Sequence, residues 1–121
     1  MIQENKEILI KDLCARLPYG VKVLFENKVF SIDYISAVYE EIKLDIPDNY
    51  TLDISNVKPY LFPLSSMTEE QEEEYNDLNN YELGCFPHTE KALDYLLKNH
   101  FDYRYLIDED LAIDATNLNI Y

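Results

Sequence analysis

KPYLFPLSSMTEEQEEEY, residues Lys58 to Tyr75, divides a β-patterned first part of the chain from an acidic, helix-patterned last part. Pro59 and Pro63 each lack an N–H and hold the residue before them extended. Tyr60, Leu61 and Phe62 between them form a short apolar insertion into a core. Ser65-Ser66-Met67-Thr68 then leads into Glu69-Glu70-Gln71, where Thr68 and Gln71 have the spacing of a capping box. The threonine oxygen accepts from the Gln71 N–H, and the glutamine side chain returns to the Thr68 N–H. Glu69 and Glu70 fall in the first turn, where the helix dipole favours negative charge. A helix is therefore predicted from Thr68 to about Asn79, with a thin apolar stripe of Met67, Tyr75 and Leu78 that places it on the surface.

Outward from this stretch the composition is lopsided. The 121 residues suffice for one domain spanning 1–121 and a core without metal or disulfide staples. The formal charge is −14. Residues 1–64 carry 10 acids and 7 bases, whereas residues 65–121 carry 14 acids and 3 bases. Such a field repels phosphate backbones and disfavours direct nucleic-acid binding. It reads either as a solvated surface or as a surface that imitates nucleic acid. Two distant cysteines, Cys14 and Cys85, without a signal-peptide pattern suggest reduced thiols in a cytoplasmic protein. No apolar run approaches the roughly 20 residues of a membrane span.

Before the dividing stretch, Gln3 to Leu17 reads as a helix with Leu9, Leu13 and Leu17 on one stripe and Ile10 beside them, while Lys6, Glu7, Lys11 and Asp12 keep the other side wet. Cys14 reads as a small apolar residue near that stripe. Pro18 stops the helix and Tyr19-Gly20 turns the chain. From Val21 to Ile54 the period is two: Val21, Val23, Phe25; Phe30, Ile32, Tyr34; Val38, Ile42, Leu44, Ile46; Tyr50, Leu52, Ile54. Glu26-Asn27-Lys28 marks a hairpin, with Asn27 suited to positive φ. Ile35–Lys43 suits strand or helix. After the dividing stretch, Thr89 caps a helix whose Ala92, Leu93, Leu96 and Leu97 should pack on the sheet. Tyr103 to Ala115 reads as one more turn or short helix.

Chemistry-bearing constellations are few. Cys85 and His88 in CFPH have ligand spacing, and His100 and Cys14 could complete a set, but structural zinc sites present two tight pairs. A small interhelical loop is the simpler reading. Asp108-Glu109-Asp110 and Asp114 lack the turn glycine and terminal glutamate of a calcium loop, so a solvated acidic face is expected. With two glycines and two histidines there is no phosphate-binding loop and no nucleophile elbow. No catalytic, metal or cofactor residue is assigned, and no cofactor is expected. Eleven tyrosines instead favour contact surfaces, since tyrosine joins a large apolar area to a polar tip.

Three segments, IKDLCARLPYGVKV (10–23), KPYLFPLSSMTEEQEEEY (58–75) and ALDYLLKNHFDYRYLIDEDLAIDA (92–115), resemble a family of short acidic proteins found in many copies in gut Bacteroides genomes, phages and mobile elements. The resemblance implies no activity. Typical members carry an arginine where this chain has Phe62, a glycine where it has Tyr105, and fewer acids around Asp108–Asp110.

The expectation is an α+β fold: an N-terminal helix, a small antiparallel sheet of three to four strands within residues 21–54, and two to three C-terminal helices packed on one sheet face. The expected function is a non-enzymatic protein-interaction or accessory protein of a phage or mobile element. The alternative is an acidic nucleic-acid mimic that inhibits a host defence enzyme. The candidate interaction surface comprises Phe62, Glu69, Glu70, Glu72, Glu73, Glu74 and Tyr105, facing a protein partner. Neither nucleic acid nor membrane is expected to bind.

Overall fold

The computed structural model describes residues 1–47, 51–79 and 89–121. The helix α1 (Gln3–Arg16) opens the chain and is followed by a 3-10 turn, Leu17–Tyr19, that ends at Gly20 with φ 72°. β1 (Lys22–Phe25) and β2 (Lys28–Ser36) form the expected hairpin, with Phe25 opposite Lys28. Glu26 and Asn27 both take positive φ, 49° and 64°, which matches the right-handed twist of the strands they join. The ambiguous stretch resolves as the end of β2, an exposed turn, and β3 (Glu41–Leu44), which pairs with β2 and with the short β4 (Leu52–Asp53). All of these pairs are antiparallel.

The sheet is not confined to residues 21–54, because the dividing stretch joins it. This stretch is a central strand, β5 (Lys58–Pro63), in a mixed sheet ordered β4-β3-β2-β1-β5-β6. β1 pairs antiparallel on one side of it. On the other side β6 (Phe101–Asp102) and β7 (Ile113–Asp114) pair parallel, β6 with Phe62 and Pro63, β7 with Tyr60 and Leu61. Among the described residues seven strands replace the three to four expected, and three of them lie outside residues 21–54. The prolines are tolerated because they stand at the strand's ends. The backbone groups between them are used: the Phe62 N–H donates to the His100 carbonyl at 2.8 Å, and the Ala115 N–H donates to the Leu61 carbonyl at 2.8 Å.

Parallel pairing needs a long crossover, and the two later helices supply it. α2 (Glu69–Leu78) begins with the predicted capping box, both hydrogen bonds formed. α3 (Glu90–Lys98) begins with Thr89 accepting from the Ala92 N–H. α3 buries Ala92, Leu96 and Leu97, whereas α2 buries none of its residues and so does not pack as a core helix. The segment from Tyr103 to Ala115 is not a helix; it is a run of turns ending in β7. Asp102 closes this run, its carboxylate accepting from the Leu106 and Ile107 N–H groups, each at 2.9 Å. Two-residue strands are below what period-two patterning can register.

The core joins Leu9, Ile10 and Leu13 of α1 to Val23, Ile42, Leu44 and Leu61 of the sheet, with Leu106 and Leu111 from the turns. Among the described residues no helix is long and apolar enough to cross a membrane.

Candidate functional site

α1 carries an internal polar hub that its leucine pattern conceals. Asp12 is not on the wet side of α1 as expected: it and Arg16 are four apart, hence on one helix face, and both side chains are wholly buried. Arg16 Nε donates to Asp12 Oδ2 at 2.7 Å and Nη2 donates to the Phe101 carbonyl at 2.6 Å, tying α1 to β6. Arg104 Nε lies 3.3 Å from Asp12 Oδ1, an ion pair without hydrogen-bond alignment, and Arg16 Nη1 is buried with no partner. Tyr103 sits between the two guanidinium groups, 5.8 Å from Arg16 and 4.8 Å from Arg104.

This hub adjoins a cleft of about 490 Å³ lined by Phe62, Gln71, His100, Asn117 and Tyr121, among others. His100 takes the left-handed position just past the end of α3, φ 63°, a slot that glycine fills most cheaply. A non-glycine residue there costs roughly 1–2 kcal/mol. Its ring lies parallel to that of Tyr121, 3.7 Å between centroids and 11° between planes. Burial, reinforced by the nearby Arg16 charge, lowers the His100 pKa to about 4, so the ring is neutral at pH 7. Its Nδ1 is sealed from solvent without a partner, at an expense of about 1–3 kcal/mol. Tyr121 exposes 43 % of its surface, yet its hydroxyl is inside: it accepts from the Lys22 N–H at 2.9 Å and donates to the Tyr60 carbonyl at 2.7 Å. Burial raises that phenol to about 12.

The residues singled out from the sequence do not form one surface patch. Phe62 is half-buried at the cleft, its ring tilted against Phe101 and Tyr121 at 6.3 and 5.9 Å. Glu69, Glu70, Glu72, Glu73 and Glu74 are all exposed on α2. The Glu74 carboxylate interacts with the Tyr95 hydroxyl, which with burial raises the tyrosine pKa. Tyr105 is 60 % exposed on the turn beyond β6, with φ 58°. Cys85 and His88 lie outside the described residues. Cys14 is exposed on the outer side of α1, off the buried stripe. Asp108, Glu109, Asp110 and Asp114 are exposed, and Asp110 meets Lys58 at 2.9 Å.

The most exposed apolar residues are elsewhere again. Val38 (85 %) and Tyr39 (74 %) crown the turn between β2 and β3. The turn is held in place: Ser36 Oγ accepts from the Tyr39 N–H at 3.3 Å, Glu40 Oε2 accepts from Gln3 Nε2 at 2.7 Å, and the Glu40 carbonyl accepts from the Ile54 N–H at 2.9 Å. Beside it runs a shallow groove of about 530 Å³, floored by Ile10, Lys11 and Cys14 of α1.

Sequence reading missed Arg16, His100, Tyr121 and the Val38–Tyr39 tip. A signal exists for His100, which stands just past the helix stripe of Ala92, Leu93, Leu96 and Leu97. None exists for Tyr121, whose partners Lys22 and Tyr60 are remote in sequence. Comparison with known protein families, curated proteins and solved structures finds no match.

Proposed function

We propose that the protein is a non-enzymatic interaction protein that binds a protein partner through the β2–β3 tip, and that it serves as an accessory protein of a phage or mobile element. The second part rests on the sequence resemblance alone. The observation that carries the first is the tip itself. Val38 and Tyr39 are large apolar groups left mostly in water on a turn whose backbone is tied by two hydrogen bonds, at the Tyr39 N–H and the Glu40 carbonyl. Pre-ordered aromatic and aliphatic anchors lose little entropy on docking, which is how a few residues come to dominate an interface. Tyr105 is a second anchor of the same kind. The charge of −14 calls for a partner with an apolar centre and a basic rim.

A specific feature supports the alternative, an acidic mimic of nucleic acid. Five exposed glutamates lie on the single helix α2, and none of them forms a salt bridge among the described residues. They are spread around the helix instead of forming one track, which is why the adaptor reading is preferred.

The test is capture of the partner from the native host, followed by titration at low and high salt. For the adaptor, Tyr39→Ala and Val38→Asp should each weaken binding at least about fivefold, and salt should change it little. Loss of the complex at moderate salt, competition by DNA, and indifference to both substitutions would establish the mimic instead.

A further inference from the structure

We propose that the cleft between α2, the end of α3 and the C-terminal segment binds a free nucleobase or nucleoside. The inference is independent of the docking tip, which lies on other elements.

The first argument is the platform. His100 and Tyr121 stack flat at 3.7 Å, and the Tyr121 hydroxyl is pinned at 2.9 and 2.7 Å by backbone groups of β1 and β5. Phe62 closes one side, 5.9 Å from Tyr121. The platform is therefore ordered before any ligand arrives, and Tyr121 keeps 43 % of its surface open. Flat heterocycles stack on such rings with little regard to their identity.

The second argument is the set of spare polar atoms. The Asn117 carboxamide makes no hydrogen bond among the described residues, and its backbone is left-handed, φ 66°. Gln71 has its oxygen engaged by the Thr68 N–H at 2.9 Å, and its amide hydrogens have no partner among the described residues. Asn99 donates to the Tyr95 carbonyl at 2.9 Å, leaving its oxygen free. One complete carboxamide, one donor and one acceptor beside a stacked ring match the donor–acceptor edge of a base, which Asn and Gln read in pairs.

The third argument is charge. In a chain with 24 acids, no Asp or Glu lines this cleft among the described residues, and Lys98 is the one cation among them. His100 is neutral, so the floor carries no charge that a neutral heterocycle would have to bury. The overall −14 keeps polynucleotides away, which restricts the ligand to a free base or nucleoside.

Finally, His100 carries two penalties, a left-handed backbone and a sealed, unpaired nitrogen, that glycine or asparagine would avoid. Strain of this kind gathers at ligand sites.

Titration of adenosine, guanosine, cytidine and uridine into labelled protein, followed by amide NMR shifts, tests the proposal, with ribose as the control. At least one nucleoside should give saturable shifts at His100, Asn117 and Tyr121, and ribose should give none. Asn117→Gly suits the left-handed backbone and should weaken binding at least about fivefold without moving the melt. His100→Asn, which also tolerates that backbone, should weaken binding likewise by removing the platform. Cleft resonances unmoved by every nucleoside at millimolar concentration would overturn the proposal. So would equal shifts with ribose, or binding indifferent to both substitutions.

Discussion

Tyr105 offers a sharp test of the backbone. Its φ is 58°, on a turn pulled round by the two hydrogen bonds that Asp102 accepts from Leu106 and Ile107. An L-residue in that region is strained by roughly 1–2 kcal/mol. Glycine escapes the strain but loses about 0.5–1 kcal/mol more chain entropy on folding than alanine does. Tyr105→Gly and Tyr105→Ala remove the same ring and so lose the same contacts. Their difference isolates the backbone. The glycine variant should be the more stable by about 0.5–1 kcal/mol, or up to about 4 °C in Tm for a chain of this size. At an ordinary extended or helical position the order is the reverse, so the sign decides. Urea denaturation of both variants, with equal m-values as the check on two-state behaviour, measures it. An alanine variant as stable as the glycine variant, or more so, would refute the reasoning. The ring, being 60 % exposed, is then held out at a cost to stability.

Three further predictions follow from the hub, the cleft and α2. Asp12→Asn or Arg16→Ala should cost about 3–5 kcal/mol in urea unfolding, because each strands a buried charge, whereas Asp12→Leu with Arg16→Met should cost far less. His100 has a folded pKa of about 4 against 6.5 unfolded, so the unfolded chain takes up the proton first as pH falls. Its contribution to stability is complete above pH 6.5 and lost towards pH 4. Relative to His100→Asn, the loss should be on the order of 1–2 kcal/mol once solvent screening is allowed for. Thr68→Ala removes the cap of a helix with no buried residue, so hydrogen exchange in α2 should quicken by a free energy of about 1 kcal/mol while the global melt hardly moves.

What the sequence determined by itself was local. The capping box at Thr68 and Gln71, the Thr89 cap, the Glu26-Asn27 turn and the alternation through Val21 and Val23 are interactions between residues a few positions apart. Such interactions leave their pattern in the order of residues. The N-terminal helix and the mixed α and β character followed from the same periods. The role of Lys58–Pro63 was decided only by tertiary structure, because its partners Phe101, Asp102, Ile113 and Asp114 are some forty to fifty residues away and lie in strands of two residues each. Two prolines in six residues read locally as a break; they stand instead at the ends of a central strand whose inner backbone groups are filled from distant chain. The same holds for Asp12, which the helix pattern puts on the wet side and which the fold buries against Arg16, itself tied to the distant Phe101 carbonyl. It holds also for the cleft, since the stacking of His100 on Tyr121 depends on hydrogen bonds to Lys22 and Tyr60. Burial and stacking arise from the closing of long loops, and sequence spacing carries no record of which loops close.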